Sequence, residues 1–248
     1  MTSTSKVVTG LLIALSGMAH AAEITVLSGG AVEPGLNAAA AAFQKATGHA
    51  VKVTYNTTPQ IQKRMAGGET FDVVIAPPAA MKSFAADGKV EDGGVNIGRV
   101  GMGVVVRPGA PAPDISNADA IKRAVVEAES VVFNTASSGI YFEGLLKKMG
   151  VFEQIQSKTA RYTTGAEVME HLLKGKGKEV GFGPITEILQ YKAKGLRLVG
   201  PLPAEIQNYT AYTAAPMGSS PNKAVAQEFT RFLGGSAGKA LFVAAGIE

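Results

Sequence analysis

Three short β-like runs separated by two helical patterns open the chain, and this alternation constrains the fold more than any other feature. Glu23–Ser28 (EITVLS), Ala50–Asn56 (AVKVTYN) and Phe71–Ala76 (FDVVIA) are rich in β-branched and aromatic residues. Between them lie alanine-rich Glu33–Thr47, stopped by Gly48, and Pro59–Ala66, stopped by Gly67-Gly68; Met81–Asp87 with Gly88 follows. Parallel strands need long crossovers, so this β-α-β-α-β order predicts a parallel sheet with helices on its faces. The pattern restarts after the proline-dense Arg107–Pro113. Strands are expected at Ser130–Asn134, Thr159–Thr163, Glu179–Phe182 and Leu196–Gly200, and helices at Gly139–Met149, Ala166–Leu173 and Ile185–Lys194. A strand at Tyr209–Ala214 and helices at Asn222–Leu233 and Ser236–Ala244 close the chain. The expectation is an α/β protein of two lobes, each a mostly parallel sheet flanked by helices, and 248 residues are enough for two cores.

The N-terminus carries Lys6, an apolar stretch from Val7 to Met18, and Ala19-His20-Ala21-Ala22. This is the layout of a secretory signal peptide over residues 1–22, and the stretch is shorter than the roughly 20 apolar residues of a membrane span. Cleavage after Ala21 or Ala22 is expected to release a periplasmic, monomeric protein. Removing that segment takes away one lysine and no acid, so 23 basic and 20 acidic residues remain. The Lys174-Gly-Lys176-Gly-Lys178 cluster has no interleaved aromatic side chains and reads as a solvated turn, so no nucleic-acid partner is expected. With no cysteine, the chain has no disulfide, thiolate metal site or Cys nucleophile. It also lacks the glycine-rich phosphate loops and the standard hydrolase and metalloprotease motifs, and no cofactor or metal is expected.

In open α/β sheets, ligands sit beyond the carboxyl ends of strands, where loops enter helices. Three such loops stand out: Ser28-Gly29-Gly30-Ala31, Asn56-Thr57-Thr58-Pro59 and Asn134-Thr135-Ala136-Ser137-Ser138-Gly139. Free N–H groups at a helix start, with the helix dipole and a hydroxyl, hold an anion without an opposite charge. Such residues are also ordinary helix caps, so the argument rests on three loops together.

Ile24-Thr-Val-Leu-Ser-Gly-Gly-Ala31, Thr57-Thr58 and Gly67-Gly-Glu-Thr-Phe-Asp-Val-Val-Ile-Ala76 resemble the opening of type II periplasmic substrate-binding proteins, nearest the molybdate-binding branch. Ser138-Gly139-Ile140-Tyr141 resembles that branch's P-A-G-x-Y loop, and Gly181–Glu187 its G-I-V-Y-x-T-D loop. The resemblance implies solute held between two lobes and delivered to an ABC permease. It places lobe 1 at 23–105 plus 207–248 and lobe 2 at 106–206, with crossings near Met102–Arg107 and Gly200–Gln207. Carried over by position, Ala31, Thr58, Ser138, Val168 and Pro184 would contact a small anionic solute, where Ala31 and Pro184 replace hydroxyl-bearing residues. With the loop residues, the expected binding set is Gly29, Gly30, Ala31, Thr57 and Thr58 from one lobe and Ser137, Ser138, Gly139 and Tyr141 from the other, plus Val168 and Pro184.

Gly200-Pro-Leu-Pro203 with Gln207-Asn208-Tyr209 resembles a subgroup that includes periplasmic aconitate isomerase. The alternative expectation is therefore a tricarboxylate isomerase on the same fold. Arg64, Arg107 and Arg161 would be carboxylate clamps, and His171, Glu33, Glu143 and Tyr141 acid–base groups. The solute-binding reading names no catalytic residue.

Overall fold

The computed structural model describes residues 21–248, so the expected signal peptide lies, but for its last two residues, outside the described part. Nine strands form β1 (Glu23–Gly29), β2 (Ala50–Asn56), β3 (Val73–Ala76), β4 (Val95–Val106), β5 (Ser130–Asn134), β6 (Thr159–Tyr162), β7 (Glu179–Pro184), β8 (Arg197–Pro201) and β9 (Tyr209–Pro216). Ten helices accompany them: α1 (Glu33–Thr47), α2 (Thr58–Ala66), α3 (Pro78–Ala86), α4 (Ala118–Glu127), α5 (Ser137–Lys148), α6 (Phe152–Ile155), α7 (Gly165–Lys174), α8 (Ile185–Gln190), α9 (Lys223–Gly234) and α10 (Ser236–Ala244). None of them is long and apolar enough to cross a membrane.

The strands run in the order β2-β1-β3-β9-β4-β7-β5-β6, with β8 also on β4. Each half holds a parallel trio, β2-β1-β3 and β7-β5-β6, and the remaining pairings are antiparallel. β4 belongs to both halves. Val95–Gly101 pairs with β9, whereas Met102–Val106 pairs with β7 and, from Gly103 on, with β8. The chain therefore passes between sheets at Gly101–Met102, one crossing; the second runs from the end of β8 to Tyr209.

Period-2 alternation distributes the side chains of the central strands over both faces. In the first half, Ile24, Val26, Val73 and Ile75 pack with Leu36, Phe43, Phe229 and Phe242, while Leu27 and Val74 pack with Ile61, Met65 and Phe84 on the other side. In the second, Val131 and Phe133 meet Phe142, Leu146 and Phe182, and Val132 meets Val168, Met169 and Leu172. The chain's end completes the first core: Ile247 is buried in it, and the Glu248 and Arg99 backbones exchange two hydrogen bonds.

The strand-to-helix pattern accounts for most elements, but β4 and α4 fall in stretches it does not assign. Buried Asp72 ties the first half together. Its carboxylate accepts from Thr25 N, Thr25 Oγ1, Ser220 Oγ and Asn222 Nδ2. Burial alone would raise its pKa, but these donors outweigh that and hold it below the usual range. The lysine–glycine segment begins at the last residue of α7, and its residues 175–178 bend round Glu179, whose carboxylate accepts from Lys176 N and Gly177 N.

Candidate functional site

A cavity of about 410 Å³ lies where the two halves face each other. Four helices of nine or more residues start at its wall: α1 through the turn Gly30–Val32, α2 at Thr58, α5 at Ser137 and α7 at Gly165. Local chemistry fixes these starts. Gln60 Oε1 accepts from Thr57 N at 2.8 Å, and Thr164 and Glu167 form a reciprocal capping box. Asn134 Oδ1 accepts from Ala136 N and Gly139 N, shaping the loop into α5. Among the described residues, two side-chain hydrogen bonds join the halves across the cavity: Ser137 Oγ donates to Thr58 Oγ1 at 3.1 Å, and Thr186 Oγ1 to Ala31 O at 2.6 Å.

Of the expected binding set, Gly29, Gly30, Ala31, Thr57, Thr58, Ser137, Ser138 and Pro184 line this one cavity. Gly139, Tyr141 and Val168 do not. Gly139 is committed to Asn134, where a Cβ would lie 1.7 Å from the carbonyl oxygen, so its role is close backbone approach. Tyr141 donates from its hydroxyl to Ile206 O at 3.0 Å, beside the second crossing. Val168 is fully buried against Val132 and Leu172.

The groups expected for an isomerase are mostly engaged elsewhere. Arg64 holds Glu69 and Asn56, Arg107 holds Glu179 and three carbonyls, and Arg161 pairs with Glu143. His171 Nδ1 lies 2.7 Å from Tyr162 Oη. Glu33 alone of that group reaches the cavity, with a pKa raised mainly by burial and partly restored by Asn37.

The wall includes further residues that the loop argument does not single out: Tyr55, Gln60, Thr164, Gly165, Glu187, Tyr191 and Tyr212 among them. Among the described residues, no lysine, arginine or histidine lines it. Glu187 Oε2 is buried and has no hydrogen-bond partner among the described residues. Burial, with a smaller push from Glu33, raises the Glu187 pKa to about 7. Burial also raises the Tyr212 and Tyr55 hydroxyl pKa values, with Glu187 and Glu33 respectively adding to the effect. Glu187 was visible in the sequence only as the last residue of the Gly181–Glu187 loop, with nothing there to mark its burial. Among the described residues, no group of three or more His, Cys, Asp or Glu side chains could hold a metal ion.

Two α/β halves joined by two crossing segments, with a cavity between them ringed by helix starts, define the class of two-lobed solute-binding proteins. The chain belongs to the bacterial extracellular solute-binding protein family, whose model matches residues 24–248. It is 31% identical over 217 residues to an aconitate isomerase from a Pseudomonas species, a match spanning 85% of this chain and 81% of that protein. Among solved structures it resembles the periplasmic molybdate-binding protein of Azotobacter vinelandii, with a TM-score of 0.75 and 18% identity over 91% of this chain and 98% of the other. A sulfate-binding protein of Mycobacterium tuberculosis gives 0.73 and 18% over 91% and 86%. At such identities these two likenesses establish the fold.

Proposed function

We propose that this protein captures a small organic acid anion between its lobes, 23–105 plus 207–248 and 106–206, with β4 changing sheets at Gly101–Met102. The observation that carries the reading is the convergence of four helix N-termini, two from each side, on a cavity without a cationic side chain. Backbone N–H groups and dipole ends supply the attraction there, and Thr58 and Ser137 supply hydroxyls. Size favours an organic acid over a four-oxygen anion. Four oxygens at about 30 Å³ each, the share of one water in liquid, come to about 120 Å³, well under the cavity's 410 Å³. Ala31 and Pro184, in place of hydroxyl donors, point the same way. A ligand touching both walls favours the closed arrangement by its differential contacts. The protein would act as a monomer in the periplasm, after loss of residues 1–22, and hand its solute to an ABC permease.

The resemblance to aconitate isomerase favours a second reading, conversion of a tricarboxylate in the same cavity. Glu33 and Glu187 are the titratable carboxyls positioned for it. Thermal-shift measurements with acetate, sulfate, molybdate, citrate and cis- and trans-aconitate separate the readings when joined to chromatography of each aconitate isomer after incubation. Stabilisation by the organic acids without interconversion is expected for a receptor, and turnover for an isomerase. A melting temperature unmoved by every anion would overturn both.

A further inference from the structure

Inside a cavity read as an anion site, two carboxyls and no base are an electrostatic contradiction unless protons resolve it. Glu187 sits at the centre of that contradiction. It projects from the first turn of α8 toward the start of α7: a Cβ on Gly165 would fall 1.6 Å from Oε2, so only glycine leaves room for the carboxyl. A Cβ on Gly30, from the opposite half, would lie 3.4 Å from Oε1. The carboxyl thus reaches both walls of the cavity while Oε2 remains without a partner. The titratable groups facing it are Glu33 from α1, Tyr212 from β9 and Tyr191 at the end of α8. None of these groups donates a hydrogen bond to Glu187 Oε2, and Glu33 adds negative charge, so an ionised Glu187 finds no compensation among them.

We infer that Glu187 meets the bound anion as a neutral carboxylic acid and donates its hydrogen bond to an anionic oxygen of the solute, so that capture takes up one proton from solvent. This rests on the reading of the cavity as an anion site and specifies its chemistry. In the free protein above pH 7, the balanced step is Glu187 carboxylate plus one proton plus the solute anion, giving a neutral Glu187 hydrogen-bonded to that anion. An ionised Glu187 would repel the guest, whereas a protonated one supplies the side-chain donor that Ala31 and Pro184 lack. Selectivity follows: the site favours anions presenting a free carboxylate oxygen as acceptor.

Binding of trans-aconitate and citrate is to be measured by titration calorimetry, in buffers of different ionisation enthalpy, at pH 6 and pH 8.5. The expected result is uptake of close to one proton at pH 8.5 and close to none at pH 6, where Glu187 already carries it. The affinity should fall about tenfold per pH unit above pH 7. Glu187→Gln should bind both acids with an affinity that is flat from pH 6 to 8.5 and without uptake at pH 8.5, whereas Glu33→Gln should keep the uptake. Binding by the wild type without uptake at pH 8.5 overturns this inference and leaves the anion reading standing, and so does uptake that persists in Glu187→Gln. Failure of the wild type to bind either acid or any anion of the thermal-shift panel overturns the anion reading and this inference with it.

Discussion

At the scale of single residues, the cavity is shaped as much by what is missing as by what is present. Gly165 gives the Glu187 carboxyl its place, so Gly165→Ala is expected to drive that carboxyl into the cavity and weaken trans-aconitate binding at least tenfold, read by calorimetry, with little change in far-ultraviolet circular dichroism. The raised pKa of Glu187 also carries a stability signature. Its folded value, about 7, lies above the ordinary 4.5, so the folded state holds the proton more tightly. The stability this gives is complete below pH 4.5 and is lost as pH rises through 7, by up to about 3 kcal/mol. Unfolding in denaturant at pH 5 and pH 8 should show that loss in the ligand-free protein, and Glu187→Gln should remove it. Asp72 behaves in the opposite sense: its pKa is held down, so its contribution is present above the ordinary carboxylate range and disappears on acidification. Asp72→Ala strands buried donors on Thr25 and Ser220 and is expected to cost about 2–3 kcal/mol at pH 7 in the same assay.

At the scale of elements, the aromatic cluster Phe133–Phe142–Phe182 anchors the second half, with Phe133 edge-on to Phe142 and the stacked Phe142 and Phe182 centroids 3.9 Å apart. Phe142→Ala should cost about 3–5 kcal/mol, measured by chemical denaturation. The strands at Phe71–Ala76 and Ser130–Asn134 were legible in sequence because a strand buried on both faces is a continuous apolar run between stop signals. β4 was not, for an equally physical reason. Gly98, Gly101 and Gly103 interrupt it, since Cβ atoms there would strike Ile247, Tyr209 and Ile185, and glycine lowers strand propensity. α4 escaped because it lies between a proline-rich loop and a strand, outside the repeating order, although Ala120, Ile121, Ala124 and Val125 give it a buried stripe. The Thr164–Gly165 start of α7 lies outside the loops that stand out in sequence; the other three helix starts round the cavity could be read from Gly, Ser and Thr after strands. Glu187 could not, because long-range packing against Gly165 and Gly30, and not local spacing, determines its environment.

At the scale of the molecule, two segments connect the halves, and the Gln207 side chain ties those two segments to each other. Gln207 Oε1 accepts from Met102 N at 2.8 Å and its Nε2 donates to Met102 O at 3.0 Å, so the two crossings are clipped at the point where β4 changes sheets. Gln207→Ala should loosen that pivot and raise hydrogen exchange at Met102. Across the cavity, Thr186→Val removes the hydrogen bond to Ala31 O. A net contribution of about 1 kcal/mol corresponds to a roughly fivefold drop in the closed-to-open ratio, to be read as a larger radius of gyration in solution scattering and a loss of affinity of up to that factor.

Ile247 is buried in the same core as Ile24, so the first half is assembled from two segments that the whole of the second half separates in sequence. Its core closes only when those distant segments meet, and closure over so long a span is slow, whereas the second half draws on one contiguous stretch. Ile247→Ala should accordingly slow formation of the first half more than that of the second, as timed by protection from protease during refolding.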